Sequence, residues 1–356
     1  MANPETPMRI LVTGHLGYVG SVLTPMLQAR GHRVSGLDCD YFRACTLGEP
    51  PATVPTRNKD VRDVEASDLD EVDAIIHLAG LSNDPLGDLD PELTLEINHR
   101  ATVRLGELAK AAGIERMVFA SSCSVYGAAG EGWMDEASPM RPVTPYAVSK
   151  QRAEADLTAM TDSKFSPVFL RAATVFGLSP RIRFDLVVNN LVAWAHTTGR
   201  ILMKSDGRAW RPLLHVEDMA RALLAAVEAP PSVVGGGALN IGRTADNFRV
   251  CDVADAVARG IPGTRIEQVD DAIHDKRSYR VRCDLVGATL PGFLPTGDLA
   301  SGIASLLEGF RRSQLTPEDF EGPRYQRLAH LKQLRHRGML DAGLRWKGGS
   351  GGRSMA

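Results

Sequence analysis

Apolar residues gather in short runs at residues 10–12, 34–37, 74–78, 117–120 and 168–170. Short, largely apolar runs of that length predict strands covered on both sides of a sheet. Between them, apolar positions recur every three or four residues over 21–29, 93–112 and 146–157, the spacing of helices with one buried stripe. Strand and helix alternate, so the pattern predicts βαβ units and a doubly wound parallel sheet. Past Gly177 the rhythm changes. A loop over 178–183 leads to a helix near 184–196, short strands near 201–203 and 213–215, a helix over 217–228 and a strand at 239–241. No internal repeat is present.

Length and composition narrow the picture. A chain of 356 residues with 44% hydrophobic content can bury a large core, enough for an α/β domain carrying a smaller one. A net charge of −2 gives no reason to expect nucleic acid or a membrane surface as partner. The five cysteines (39, 45, 123, 251 and 283) contain no CxxC pair, which predicts reduced thiols, no zinc or other metal site, and a cytoplasmic protein. No run approaches 18 apolar residues, and MANPETPMRI lacks a signal-peptide core.

Candidate chemistry begins at Thr13-Gly-His-Leu-Gly-Tyr-Val-Gly20, where three glycines spaced three apart join a strand to a helix. Such a turn either seats an anion on backbone N–H groups and a helix N-terminus or is simply tight. Asp38, at the end of the second strand and 18 residues past Gly20, stands where a dinucleotide site binds the adenosine ribose. A carboxylate there accepts from a 2′-hydroxyl and repels a 2′-phosphate, so NAD is expected over NADP. Asp40 should add to that repulsion, while the bland alternative makes Asp38 a loop-start residue. Asp60-Val61 and Leu78-Ala-Gly80 follow later strands, at the sheet edge where ligands bind in open α/β folds. The expected fold class is therefore α/β, a Rossmann-type doubly wound parallel sheet with a smaller interleaved mixed α/β substrate domain. The expected division is 1–176 with 213–242 returning to it, then 177–212 and 243–345, and a Gly/Ser-rich flexible tail over 346–356.

Tyr146-Ala-Val-Ser-Lys150 places a phenol and an ammonium at i and i+4 on one helix face. An ordinary tyrosine ionises near pH 10, and bringing it to about 7 takes roughly 4 kcal/mol of differential stabilisation. A nearby lysine and a positively charged cofactor ring are the kind of neighbours that supply it, allowing the tyrosine to act as acid and base. A surface helix pair would give the same spacing.

Upstream, Met117-Val-Phe-Ala-Ser-Ser-Cys-Ser-Val-Tyr-Gly127 is a buried strand ending in hydroxyls. Together with the glycine loop, Asp38, the HLAG and YAVSK motifs, it resembles the extended short-chain dehydrogenase/reductase family over about residues 8–282. The likeness is to its nucleotide-sugar epimerases and dehydratases. The resemblance implies NAD held by Gly14, Gly17, Tyr18, Val19, Gly20, Asp38, Asp60, Val61, Leu78, Ala79, Gly80, Tyr146 and Lys150. It implies a catalytic triad of Ser122, Tyr146 and Lys150, with the lysine anchoring the ribose and lowering the tyrosine pKa. It also implies a nucleotide-sugar substrate near Ser82, Cys123, Ser124, Thr174, Asn189, Asn190, Arg211 and Arg277 or Arg280. Helix capping and surface ion pairs are the plain alternatives for the asparagines and arginines. A homodimer packed through helices 93–112 and 146–157 is the expected assembly.

The pair after Ser122 bears on the reaction. The family's 4,6-dehydratases carry Asp-Glu there, whereas this chain has Cys123-Ser124. The resemblance therefore implies C4 epimerisation through a 4-keto sugar. A 4-ketoreductase or dehydratase is the alternative within the family, and a non-enzymatic dinucleotide sensor the alternative outside it. Ser82 in place of a frequent lysine, and Thr174 in place of a frequent asparagine, point to an unusual sugar such as a deoxysugar or heptose.

Overall fold

The computed structural model describes residues 6–82, 84, 90–128, 132–273, 278–290 and 292–347. The chain opens with β1 (Arg9–Thr13), α1 (Gly20–Ala29), β2 (Arg33–Asp38), β3 (Thr56–Asn58) and β4 (Ala74–His77). A helical run follows, α2, made of Pro91–Leu95, a π-helical turn Glu96–Arg100 and Ala101–Ala111. Next come β5 (Arg116–Ser122), α3 (Pro145–Ala159) and β6 (Val168–Ala172). Then the chain leaves the sheet through β7 (Thr174–Phe176), α4 (Val187–Thr198), β8 (Arg200–Ser205) and β9 (Trp210–His215). It returns with α5 (Val216–Glu228) and β10 (Ala238–Ile241). The remaining principal elements are β11 (Asn247–Arg249), α6 (Val250–Gly260), β12 (Arg265–Ile273), α7 (Leu299–Arg312), α8 (Pro317–Glu321) and α9 (Arg327–His336).

Seven strands form one sheet in the order β10-β6-β5-β4-β1-β2-β3, every pair parallel. This is the doubly wound sheet expected from the short apolar runs. Successive residues of its central strands supply opposite faces. Ile10, Val12, Ile76 and Val118 pack with Leu23 and Leu27 of α1 and with Leu223 and Val227 of α5. Leu11, Ile75, Met117 and Phe119 pack with Ile97 and Leu105 of α2 and Leu157 of α3. Short, largely apolar runs are what such two-sided covering favours.

Two departures from the sequence reading matter for the site. Residues 213–215 lie in β9, which pairs with β7 and β11 in a separate three-stranded sheet, so the return to the main sheet is made by α5 and β10. Residues 327–345, expected in the substrate domain, pack on the other lobe. Leu331, Leu334, Leu340 and Leu344 share a core with Leu37, Val61 and Val64. The helix expected near 184–196 begins at Val187, after Leu186 in extended conformation, and Asp185 ahead of it is ion-paired with Arg183. Residues 348–356 lie outside the described residues. Among the described residues no helix is long and apolar enough to cross a membrane, and no group of side chains is suited to a metal ion.

Candidate active site

The carboxyl ends of β1, β2, β4 and β5 open onto one cleft, as the topology of a parallel sheet dictates. Its floor is the glycine loop. Gly14 has φ +74°, and a Cβ there would sit 2.7 Å from the Ala79 nitrogen, so the loop rests directly on the backbone after β4. A Cβ at Gly20 would lie 2.4 Å from the Gly14 carbonyl oxygen. Neither position tolerates a side chain, whereas a Cβ at Gly17 would meet only the Gly14 carbonyl oxygen, at 3.0 Å. α1 starts at Gly20 with no side-chain cap and no acidic residue in its first turn. The loop thus borders the cleft with a helix N-terminus suited to an anion.

Every residue expected to hold the cofactor lines this cleft, from Gly14 through Asp60 and Val61 to Tyr146 and Lys150. Asp38 accepts from the Leu16 N–H at 3.0 Å and the Asp40 N–H at 2.8 Å, fixing the carboxylate at the end of β2. Burial raises its pKa to about 6 and those two N–H groups oppose the rise. Near pH 7 it is mostly ionised and fit to accept from a ribose hydroxyl. Asp40 behaves otherwise than expected. It pairs with Arg181 at 3.0 Å and Arg43 at 2.8 Å, so its charge is compensated and adds little repulsion toward a phosphate. His77 is sealed beneath the cleft, bridging the Thr13 and Thr102 hydroxyls at 2.6 and 2.8 Å and stacked on Phe119.

A second cleft runs toward the smaller lobe, and Tyr146, Ser82, Ser121 and Arg183 line both. Tyr146 is held in the first turn of α3, where the N-cap Thr144 hydroxyl accepts from the Ala147 N–H at 3.2 Å. Its phenol faces the same cleft as Ser122, at the end of β5. Lys150, one turn on and 5% exposed, donates to the Ala120 carbonyl at 2.7 Å. Its Nζ lies 4.4 Å from the Phe119 ring centroid and 5.9 Å from that of Tyr146. Burial pulls its pKa down to about 7, with Glu154 opposing. The electrostatics correct one expectation. Burial raises the Tyr146 pKa above its ordinary value, and the groups that oppose the rise are Ser122 and the Arg183 guanidinium. Arg183 was missed from sequence, although Arg181-x-Arg183-x-Asp185 in the loop after the strand that ends at Phe176 was a signal. It donates to Asp185 through Nε at 3.1 Å and to the Ser82 carbonyl at 3.2 Å.

The expected substrate residues divide. Ser82, Ser124, Thr174, Asn190 and Arg211 line the second cleft, with Ser122 at its inner end. Cys123 does not. Its thiol is fully buried in the core, donates to the Arg171 carbonyl at 3.1 Å, and has its pKa raised by burial. Asn189 is also sealed in. Its amide accepts from the Gly177 N–H at 2.9 Å and donates to the Arg183 carbonyl at 3.0 Å and the Tyr18 hydroxyl at 3.2 Å. It staples the glycine loop to the chain leaving β7. Arg280 stacks on Trp133 and Trp210 at 4.8 and 5.2 Å rather than lining the cleft. Arg277 lies outside the described residues.

Residues 10–242 match the family described as NAD dependent epimerase/dehydratase family. The UDP-glucose 4-epimerase of Mycolicibacterium smegmatis is 30% identical over 319 residues, covering 85% of this chain and 99% of that protein. Among solved structures, MoeE5 in complex with UDP-glucuronic acid and NAD is similar at 31% identity and a TM-score of 0.73, covering 86% of this chain and 99% of that one. TunA, an NAD-dependent NDP-hexosamine 5,6-dehydratase, is similar at 26% identity and a TM-score of 0.76, covering 86% of this chain and 98% of that one.

Proposed function

The chain belongs to the NAD-dependent epimerase/dehydratase family, and on that footing we propose that it epimerises a nucleotide-diphosphate sugar at C4 through a transient 4-keto sugar. The observation that carries this reading is the meeting of the two clefts at Tyr146, with Ser122 in the second of them and no carboxylate at the two positions after that serine. Eliminating water would need a further acid and base beside the sugar. Here one of those positions is a thiol sunk in the core and the other a serine. Among the described residues, the carboxylates of that cleft are Asp84, which accepts from Thr144 at 2.7 Å, and Asp185, paired with Arg183 at 2.5 Å.

Bound NAD supplies a hydride acceptor and, on return, a hydride donor. The chain's own residues handle the proton. Tyr146 takes it from the sugar 4-hydroxyl and gives it back after the face has changed. Ser122 holds that same oxygen and opposes the burial-driven rise of the Tyr146 pKa, favouring the phenolate. Arg183 acts in the same sense from the junction of the clefts. Lys150 is placed to hold the nicotinamide ribose. Asp38 accepts from the adenosine ribose and sets the preference for NAD. Ser124, Thr174, Asn190 and Arg211 are the candidates to contact the sugar nucleotide, and Ser82 and Thr174 favour a deoxysugar or heptose.

We place the protein in the cytoplasm, where its five free cysteines would stay reduced. We propose a homodimer through the outer faces of α2 and α3, where Ala155 and Ala159 are exposed. Light scattering on the purified protein tests that assembly. The reaction is tested by incubating nucleotide hexoses, deoxyhexoses and heptoses with the protein and NAD. Inversion at C4 at constant mass, read by NMR and mass spectrometry, supports the proposal. Loss of one water would replace it with dehydration, and net reduction with ketoreduction.

A further inference from the structure

The cofactor cleft is bordered by one cation from far along the chain. Arg327 begins α9, well past the residues that match the family, and is 6% exposed. It lines the cleft together with Gly17, Tyr18 and Gly20 of the glycine loop. It is carried there by a C-terminal segment that straps across the loop after β2. The Tyr325 hydroxyl donates to the Thr46 carbonyl at 3.1 Å and His330 bonds the Tyr41 carbonyl at 3.0 Å. The Trp346 indole donates to the Cys39 carbonyl at 2.8 Å.

The charge of Arg327 is not balanced by this surround. Arg181 pairs with Asp40 and Arg183 with Asp185. Among the described residues, Arg327 has no carboxylate within ion-pair distance. Its guanidinium lies 4.3 Å over the Phe42 ring, Nη2 donates to the Arg181 carbonyl at 2.9 Å, and the buried Nε has no partner. Burial and the nearby Arg183 pull its pKa down to about 10, so it is still a cation near neutrality. Its place at the start of α9 makes matters worse, because a helix N-terminus disfavours positive charge. That first turn carries no acidic residue and no side-chain cap. A buried cation held this way is costly unless an anion arrives with a ligand.

We propose that Arg327 is the counter-charge for the diphosphate of the bound dinucleotide, so that the C-terminal segment completes the cofactor site. The inference rests on the cofactor reading above. Of the two diphosphates the site would meet, that of the dinucleotide is favoured because Arg327 borders the glycine-loop cleft and not the second one.

The test is calorimetric titration of nucleotide-stripped wild type, Arg327→Gln and Arg327→Lys with NAD, ADP, UDP and adenosine. Loss of a charge-assisted hydrogen bond predicts that Arg327→Gln weakens NAD and ADP by about tenfold or more, with part recovered in Arg327→Lys. Adenosine, which lacks phosphate, should bind as before. Unchanged NAD affinity in Arg327→Gln overturns the proposal, as does an equal loss for adenosine, which marks a structural role. A loss confined to UDP assigns the charge to the sugar nucleotide and also overturns it. Failure of wild type to bind NAD would instead remove the cofactor reading, and this inference with it. Should Arg327→Gln not fold, hydrogen exchange in wild type decides. ADP must protect the amides of residues 327–336 where adenosine does not, and equal protection by both rejects the proposal.

Discussion

Cys123 and Ser124 are adjacent in the chain, yet of the two only Ser124 lines the sugar-side cleft. The Cys123 thiol donates to the Arg171 carbonyl at 3.1 Å in the core, while Ser124 lines the sugar-side cleft and its buried hydroxyl has no protein partner. Their roles should therefore separate. Cys123→Ala deletes one buried heavy atom and should cost about 1 kcal/mol of stability by urea melts, with kcat within about twofold of wild type. Ser124→Ala should leave stability unchanged and raise KM. Collapse of kcat in Cys123→Ala would put the thiol into the chemistry.

Tyr146→Phe removes the proton-transfer oxygen and leaves the ring in place. Turnover should fall by at least about 10²-fold, while NAD binding and the melting temperature hold. Near-normal turnover would point to another acid and base.

With Asp40 compensated by Arg181 and Arg43, discrimination against a 2′-phosphate falls mainly to Asp38. Wild type should bind NAD more tightly than NADP in direct titrations. Asp38→Asn removes the charge and keeps an acceptor for only one of the Leu16 and Asp40 N–H groups, which now bond to separate carboxylate oxygens, so it should bring NADP affinity up toward that of NAD. An unchanged ratio would take selectivity away from Asp38.

The sealed histidines predict an acid limit. Burial lowers the His77 pKa to about 3 and the His15 pKa to about 4, from ordinary values near 6.5. The unfolded chain therefore binds protons between those values that the folded chain refuses, and stability falls as pH drops from about 6.5 toward 4. The stability they support is fully present above pH 6.5. Urea unfolding from pH 7 to 4 should show this slope, and His77→Gln should flatten it. An unchanged slope in the variant would assign acid lability elsewhere.

Much of the fold was legible because the main sheet is covered on both faces and writes itself as short, largely apolar runs. The glycine loop, Asp38 and the Tyr146–Lys150 pair were legible for a related reason. Each is local in sequence, and its geometry follows from one strand end or one helix turn. What escaped depends on distant contacts. Nothing in residues 327–345 says that Leu331 and Leu344 will pack against Leu37, or that Arg327 will reach the cofactor cleft. Which way Cys123 points is likewise set by the short 3₁₀ turn Cys123–Tyr126, where spacing gives no face. Asn189 and Asn190 are neighbours of the same type, yet α4 turns one inward to staple Gly177 and the other toward the cleft.

The central claim is that one acid/base, Tyr146, serves one carbon. It is tested most directly by running the reaction in deuterium oxide and reading the sugar carbons by NMR. Hydride leaving C4 and returning to it does not exchange with water. The account therefore predicts a C4-inverted product with no deuterium at C3, C4 or C5. Deuterium at C3 or C5, or a product lacking one water, would contradict it, because either requires a second base acting on a neighbouring carbon.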